Sequence, residues 1–80
     1  MIYKMYSISD ELNGFTPPIP ILKEELAKRY FKDQMLGNPT MTNSPEDFSI
    51  WEVGKFDTES GHYTDYDKLV LIERGKNYVI

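Results

Sequence analysis

The sequence predicts an α+β fold: a small, mainly antiparallel sheet of about four strands with one helix packed on one face, in the order β-α-β-β-β. Three observations carry this. β-Branched and aromatic runs bounded by turn residues occupy positions 2–8, 48–56 and 68–73. Apolar residues within 21–36 recur at helical spacing. A length of 80 residues with no linker-like stretch makes residues 1–80 a single domain.

Each element follows from its residues. Positions 2–8 are rich in Ile and Tyr and are closed by Ser9-Asp10-Glu11-Leu12-Asn13-Gly14 before Phe15. The same order, Asp-x-x-(Asn/Ser)-Gly and then an aromatic, returns at 57–61, so both turns should place their glycine at positive φ without steric cost. Thr16-Pro17-Pro18-Ile19-Pro20 cannot be helix interior and should run extended along an edge or the surface. In the helix at 21–36, Leu22, Leu26, Ala27, Tyr30, Phe31 and Met35 share one side, and Lys23, Glu24, Lys28, Lys32 and Asp33 lie mostly opposite. Gly37 should end it.

Residues 37–46 contain Asn, Thr, Ser, Gly and two prolines, and are expected to form a loop pinned by Met41. Strands should follow at 48–56 and 62–64, with a short connection at 65–67. Leu69-Val70-Leu71-Ile72 is the most apolar run and is expected to be a central strand. Arg74-Gly75 breaks it, and 76–80 would add a last extended piece.

A chain this short buries only about 60% of the surface its unfolded form exposes, so help from a partner subunit is expected. With no cysteine to staple the fold, and aromatics at 14% of residues, apolar burial must hold it. No run approaches the roughly 20 apolar residues that span a bilayer, so the expectation is a soluble, non-exported chain without membrane contact. A net charge of -4, from nine basic against thirteen acidic residues, requires any nucleic-acid contact to cluster its cations. Lys23, Lys28, Arg29 and Lys32 cluster in part, shared with Glu24, Glu25 and Asp33.

Catalytic chemistry finds little foothold. His62 is the only histidine, so no histidine pair can bind metal or work as acid and base together. Asp57, Glu59, Asp65 and Asp67 lack the ligand spacing of a calcium loop. The serines have no nearby base, Glu46-Asp47 reads as a strand-terminating pair, and no phosphate-binding glycine loop is present. The expectation is a non-enzymatic protein without cofactor or metal. The aromatics remain: exposed rings stack on bases while cations track phosphates. On an ideal strand Trp51, Val53 and Lys55 share one face, and Phe48, Ile50, Glu52 and Gly54 the other.

Asn43-Ser44-Pro45-Glu46-Asp47-Phe48, then Ile50-Trp51-Glu52-Val53-Gly54-Lys55-Phe56-Asp57 and Glu59-Ser60-Gly61, resemble the central signature of the small nonstructural protein of gokushoviruses, phages of the Microviridae with single-stranded DNA genomes. Tyr6-Ser7-Ile8-Ser9-Asp10, Gly14-Phe15, Pro17-Pro18 and, on the helix, Ala27, Arg29 and Phe31 extend the resemblance over nearly the whole chain. It departs from the family pattern at Ile19-Pro20-Ile21, where aromatics and a polar helix cap are more typical. The resemblance implies a DNA-binding nonstructural protein tied to the switch from duplex replication to packaging, acting in the host bacterial cytoplasm.

The resulting expectation is a homodimeric, single-stranded-DNA-binding phage protein. Lys28, Arg29, Lys32, Lys55 and Lys76 would meet phosphates, and Trp51 and Tyr63 would stack on bases. The competing reading is a module that binds a phage replication or assembly protein, or a host factor, through an exposed strand edge. An acidic DNA mimic is a third, with less support because the acidic residues form no extended run.

Overall fold

A computed structural model describes residues 1–78. The fold is an open antiparallel sheet of five strands with one main helix: β1 (Ile2–Asp10), β2 (Gly14–Phe15), β3 (Ile19–Ile21), α1 (Glu24–Gly37), α2 (Pro39–Asn43), β4 (Phe48–Asp57) and β5 (Tyr63–Arg74). Two 3-10 turns, Pro45–Asp47 and Gly75–Tyr78, flank the β4–β5 hairpin. The class is the expected one, with one more strand. β2 and β3 both pair with the outer edge of β1, so of the Thr16-to-Pro20 segment, expected to run extended along an edge or the surface, Ile19 and Pro20 lie in an edge strand.

The centre of the sheet is β1 beside β4, joined from Ile2↔Asp57 to Asp10↔Phe48. Tyr6, Ile8, Phe48 and Ile50 project from these strands onto α1 and are buried with Ala27, Phe31, Met35 and Met41. Ala27, Phe31 and Met35 repeat every fourth residue, so they form one stripe, and each is 0% exposed. Burying a side chain the size of Phe31, Met35 or Ile50 stabilises by about 1.5–3 kcal/mol. Leu22, Leu26 and Leu36 are exposed, so the stripe is narrower than the sequence pattern suggests.

Local chemistry sets the helix ends. Lys23 is extended before α1, and Glu24 and Glu25 in the first turn suit its positive end. Asn38 is extended because Pro39 follows, which stops α1 just after Gly37. The Asn38 side chain then accepts the Thr40 N–H at 3.0 Å and caps α2. The expected loop at 37–46 therefore holds a short helix, and Met41 does pin it to the core.

The two Asp-to-Gly turns share a mechanism. Asp10 Oδ1 accepts the Leu12 N–H at 3.0 Å, and Asp57 Oδ1 accepts the Glu59 N–H at 2.9 Å. Gly14 and Gly61 adopt φ of 88° and 76°. The Glu59 amide holds the Asp57 carboxyl below its ordinary range.

Three expectations about the C-terminal third are corrected. Leu69 to Ile72 is not a central strand: it belongs to β5, whose outer edge is free in the strand order β2-β1-β4-β5. The expected strand at 62–64, connection at 65–67 and strand at 68–73 are one strand with an irregularity. Between the pairs Gly54↔Asp65 and Glu52↔Val70, β4 advances two residues and β5 five. The connection is thus absorbed as a three-residue bulge. Of the expected extended piece at 76–80, residues 76–78 lie in a 3-10 turn, and Val79 and Ile80 fall outside the described residues. The Tyr78 ring closes edge-on against Phe31, centroids 5.8 Å apart.

The protein measures 42 × 22 × 16 Å. A 14-residue helix spans about 21 Å, so α1 can cover at most about half of the long axis, and part of the β1, β4 and β5 sheet runs on without it. There Gly54 lies against the Tyr63 side chain. A Cβ at Gly54 would sit 2.9 Å from the Tyr63 hydroxyl oxygen and 2.5 Å from the Thr64 carbonyl oxygen. The second neighbour is backbone and cannot swing away. Gly54→Ala should therefore destabilise by about 1–3 kcal/mol in urea unfolding, the usual cost of overpacking.

Candidate functional site

The face of the sheet away from α1 carries an array of rings. The register assigns it residue by residue. Ser7 pairs with Trp51, Met5 with Gly54, Tyr3 with Phe56, and Ser9 with both Ser49 and Phe15. Phe56 pairs onward with Tyr63, Trp51 with Leu71, and Ser49 with Arg74. Directly opposed residues share a face, so Tyr3, Phe15, Trp51, Phe56 and Tyr63 all belong to the side that α1 leaves open. Phe15 is 53% and Tyr63 41% exposed.

A groove of about 310 Å³ runs through this face, lined by Ser7, Phe15, Tyr63, Tyr66, Leu69 and the acidic Asp65 among others. Its floor is orderly. Trp51 Nε1 donates to Ser49 Oγ at 2.8 Å, Ser7 Oγ donates to the Thr16 carbonyl, and the Ile8 N–H bonds Thr16 Oγ1 at 3.0 Å. These bonds fasten the Pro17-Pro18 wall to β1 and fix the indole. A second cleft, about 380 Å³, lies by the helices and is lined by Tyr30, Gln34, Asn38 and Asp10 among others. Both Asp10 oxygens there are committed to its own turn.

One strand residue upsets the expected face assignment. Between Glu52 and Gly54 the β1–β4 register shifts, leaving Val53 as an extra residue on β4. Trp51 pairs with Ser7 and Lys55 with Lys4. Ser7 and Lys4 point to opposite faces, so Trp51 and Lys55 do not share one, as ideal alternation had them do. Lys55 joins Lys4 on the α1 side, in the part that the helix does not cover.

That relocation builds a polar cluster. Lys4 and Lys55 are directly opposed like charges, which is unfavourable in itself. Glu52 lies 3.7 Å from Lys4 Nζ with its side chain 10% exposed. Lys55 Nζ sits 5.9 Å from the Tyr66 ring centroid, and the Tyr66 hydroxyl donates to Glu52 Oε2. One carboxylate and one ring thus offset two cations. Tyr6, opposite Glu52, is 1% exposed, and among the described residues its hydroxyl has no hydrogen-bond partner. Burial first, and the Glu52 charge second, push Tyr6 up to about 12. Burial and the bond to Glu52 push Tyr66 well above the ordinary phenol range.

The remaining expected residues do not converge on the rings. Lys28, Arg29 and Lys32 lie on α1 in the other layer, with Lys28 Nζ 4.0 Å from Glu24. Lys76 is in the terminal 3-10 turn. Trp51 and Tyr63 do share the open face. Sequence reasoning missed Phe15 and Arg74 as members of that face and Glu52, Tyr6 and Tyr66 as a cluster. The Asp-to-Gly turn echo pointed at Phe15, the ring after the first turn. For the cluster, only the bulge places its members, and no residue pattern announces it.

The described residues contain no group of three or more His, Asp or Glu placed to hold a metal ion. Among the described residues, no helix is long and apolar enough to cross a membrane. What fold and face define is a small α+β protein that presents a one-sided aromatic sheet, an arrangement suited to binding. The chain belongs to the phage ORF5 protein family, whose model matches residues 3–78. No curated protein and no solved structure matches it.

The phenols yield a test with a definite sign. A free phenol ionises near 10.0 and Tyr6 near 12, so between these the unfolded chain has released a proton that the folded chain keeps. Folding stability should be fully present below pH 10 and fall as pH rises towards 12. Tyrosinate absorbance of the folded protein should lag that of the urea-unfolded chain over the same window. Tyr6→Phe removes an unpartnered buried hydroxyl and should leave stability unchanged or raise it by up to about 3 kcal/mol. A clear loss in urea unfolding would mean the hydroxyl is bonded.

Proposed function

We propose that this phage protein acts without catalysis, binding single-stranded DNA across the open face of its sheet and so regulating the passage from genome replication to packaging in the host cytoplasm. The observation that carries the reading is the ring array of Phe15, Trp51 and Tyr63 beside a groove on an uncovered sheet. A sheet with helices on one side and aromatics on the other is a known way to receive splayed-out bases. Stacking needs no base identity and is worth about 1–3 kcal/mol per base. The link to replication and packaging comes from the resemblance to gokushovirus nonstructural proteins.

This reading revises the contact set. Trp51 and Tyr63 stay at its centre, joined by Phe15. Phosphate contacts fall to Arg74, the one cation that the ladder places on this face among the described strand residues. Lys28, Arg29, Lys32, Lys55 and Lys76 become peripheral.

A second reading is favoured by that same scarcity of charge. With a net charge of -4 and apolar Leu69 and Leu71 on the rim, the face also suits a protein partner, a phage replication or assembly protein or a host factor. A complex recovered from infected cells that survives nuclease treatment would favour it.

Titrating short oligothymidylate at low salt should quench Trp51 fluorescence. Tyr63→Ala should weaken binding by about 1–3 kcal/mol, and a triple reversal of Lys28, Arg29 and Lys32 to Glu should weaken it less than Tyr63→Ala does. The salt dependence should be shallow, since each phosphate contact to a single strand contributes a log–log slope of only about -0.7. Absence of both quench and mobility shift at low salt would sink the DNA reading.

A further inference from the structure

The helix-side cleft, about 380 Å³, falls within the roughly 300–1,000 Å³ of small-ligand sites. Burial sorts its lining. Ile8, Met41 and Phe48 belong to the buried core and give an apolar floor. Tyr30 of α1 is half-buried, while Phe15 and the side-chain amides of Asn13, Gln34 and Asn38 are exposed at the mouth. The cleft thus combines two rings, an apolar floor and three amides.

The amides keep hydrogen-bonding capacity that the fold does not use. Asn13 gives its NH2 to Asp10 Oδ2 at 2.7 Å, which leaves its carbonyl oxygen as an acceptor. Asn38 accepts the Thr40 N–H through Oδ1, which leaves its NH2 as a donor. Gln34, exposed on α1, brings one of each. Charge narrows the ligand further. Among the described residues no Lys or Arg lines the cleft, so an anion finds no counter-charge there. Its one carboxylate, Asp10, already accepts bonds from its own turn through both oxygens, and no metal-binding group includes it. A neutral, flat ring with donors and acceptors along its edge suits such a lining.

Position supplies the rest. Phe15 and Thr16 border both this cleft and the groove of the open face. They lie where β2 forms the sheet edge, so a chain leaving the groove over Phe15 arrives at the mouth of the cleft. That lip is fixed, because the Thr16 carbonyl accepts from Ser7 Oγ and Thr16 Oγ1 accepts from the Ile8 N–H.

We infer that the cleft is a base pocket: one nucleobase of a single strand lying on the open face turns over the β2 edge, packs between Phe15 and Tyr30, and bonds through its edge to the amides of Gln34 and Asn38. Stacking across the open face accepts any base. A base held in a pocket is read by hydrogen bonds to its edge, which match one donor and acceptor pattern better than another. The cleft therefore gives the protein a base preference at one position. The path of the strand rests on the DNA reading of the open face, whereas the pocket can be probed without it.

The test adds each deoxynucleoside, at millimolar concentration, to the isotope-labelled full chain and follows its amide signals by nuclear magnetic resonance. At least one nucleoside should shift the side-chain signals of Gln34 and Asn38 more than the indole N–H of Trp51, and deoxyribose alone should shift neither. Short oligomers of each base are then titrated against Trp51 fluorescence. Gln34→Leu keeps a good helix former at an exposed site. It should cost about ten-fold in affinity for the oligomer of the base that shifts Gln34 most, and little for the others. Self-stacking of the oligomers is common to both proteins and cancels in this comparison. Amide shifts without oligomer binding would remove the DNA reading and leave the base pocket standing. Oligomer binding with no nucleoside-induced shift at Gln34 and Asn38, or a Gln34→Leu protein that loses affinity for every oligomer alike, would overturn the pocket and leave the DNA reading standing.

Discussion

The structure depends on the pairing of β1 with β4. Neither strand could be buried alone: β1 brings Tyr6 and Ile8, β4 brings Phe48 and Ile50, and only side by side do they form a floor wide enough for the Ala27, Phe31 and Met35 stripe. Everything else attaches to this unit. β2 and β3 clip onto one side, β5 onto the other, and Met41 and Tyr78 fill its ends. A domain of this size has too little interior to lose a large contact, which is why the buried rings and methionines are concentrated here.

Much of this was legible in the residues, and the parts that were not share a cause. Helical spacing found α1, and turn chemistry found both glycines at positive φ, because each signal is local. Apolarity misplaced β5: Leu69 to Ile72 reads as interior, but hydrophobicity reports that a surface wants covering and not which surface covers it. Alternation misassigned Lys55 because a strand's period of two holds only between bulges, and Val53 interrupts it without any distinctive residue. α2 was read as loop since a five-residue helix has too little length to show a period.

The candidate site divides along the same line. The rings of the open face could be gathered from the hairpin sequence, and Trp51 and Tyr63 were. The cations could not be placed, since helix residues read as a basic cluster turn out to occupy the layer opposite the rings. The bulge that moved Lys55 away from Trp51 also gave the sheet its polar cluster, where Glu52 serves Lys4 and Tyr66 at once. One inserted residue thus removed charge from one face and stabilised it on the other.

The β1–β4 pairing has a kinetic side. Its partners Asp10↔Phe48 and Ile2↔Asp57 stand 38 and 55 positions apart in the chain, whereas the β4–β5 hairpin closes through a turn of a few residues. Closing the long loop costs entropy before any contact repays it, so the hairpin should assemble early and β1 dock late. During synthesis β1 leaves the ribosome first and must wait for β4. Once the hairpin has formed and until β1 docks, it shows two bare edges instead of one, and the concentration of nascent chains sets whether β1 or a neighbouring molecule reaches β4 first.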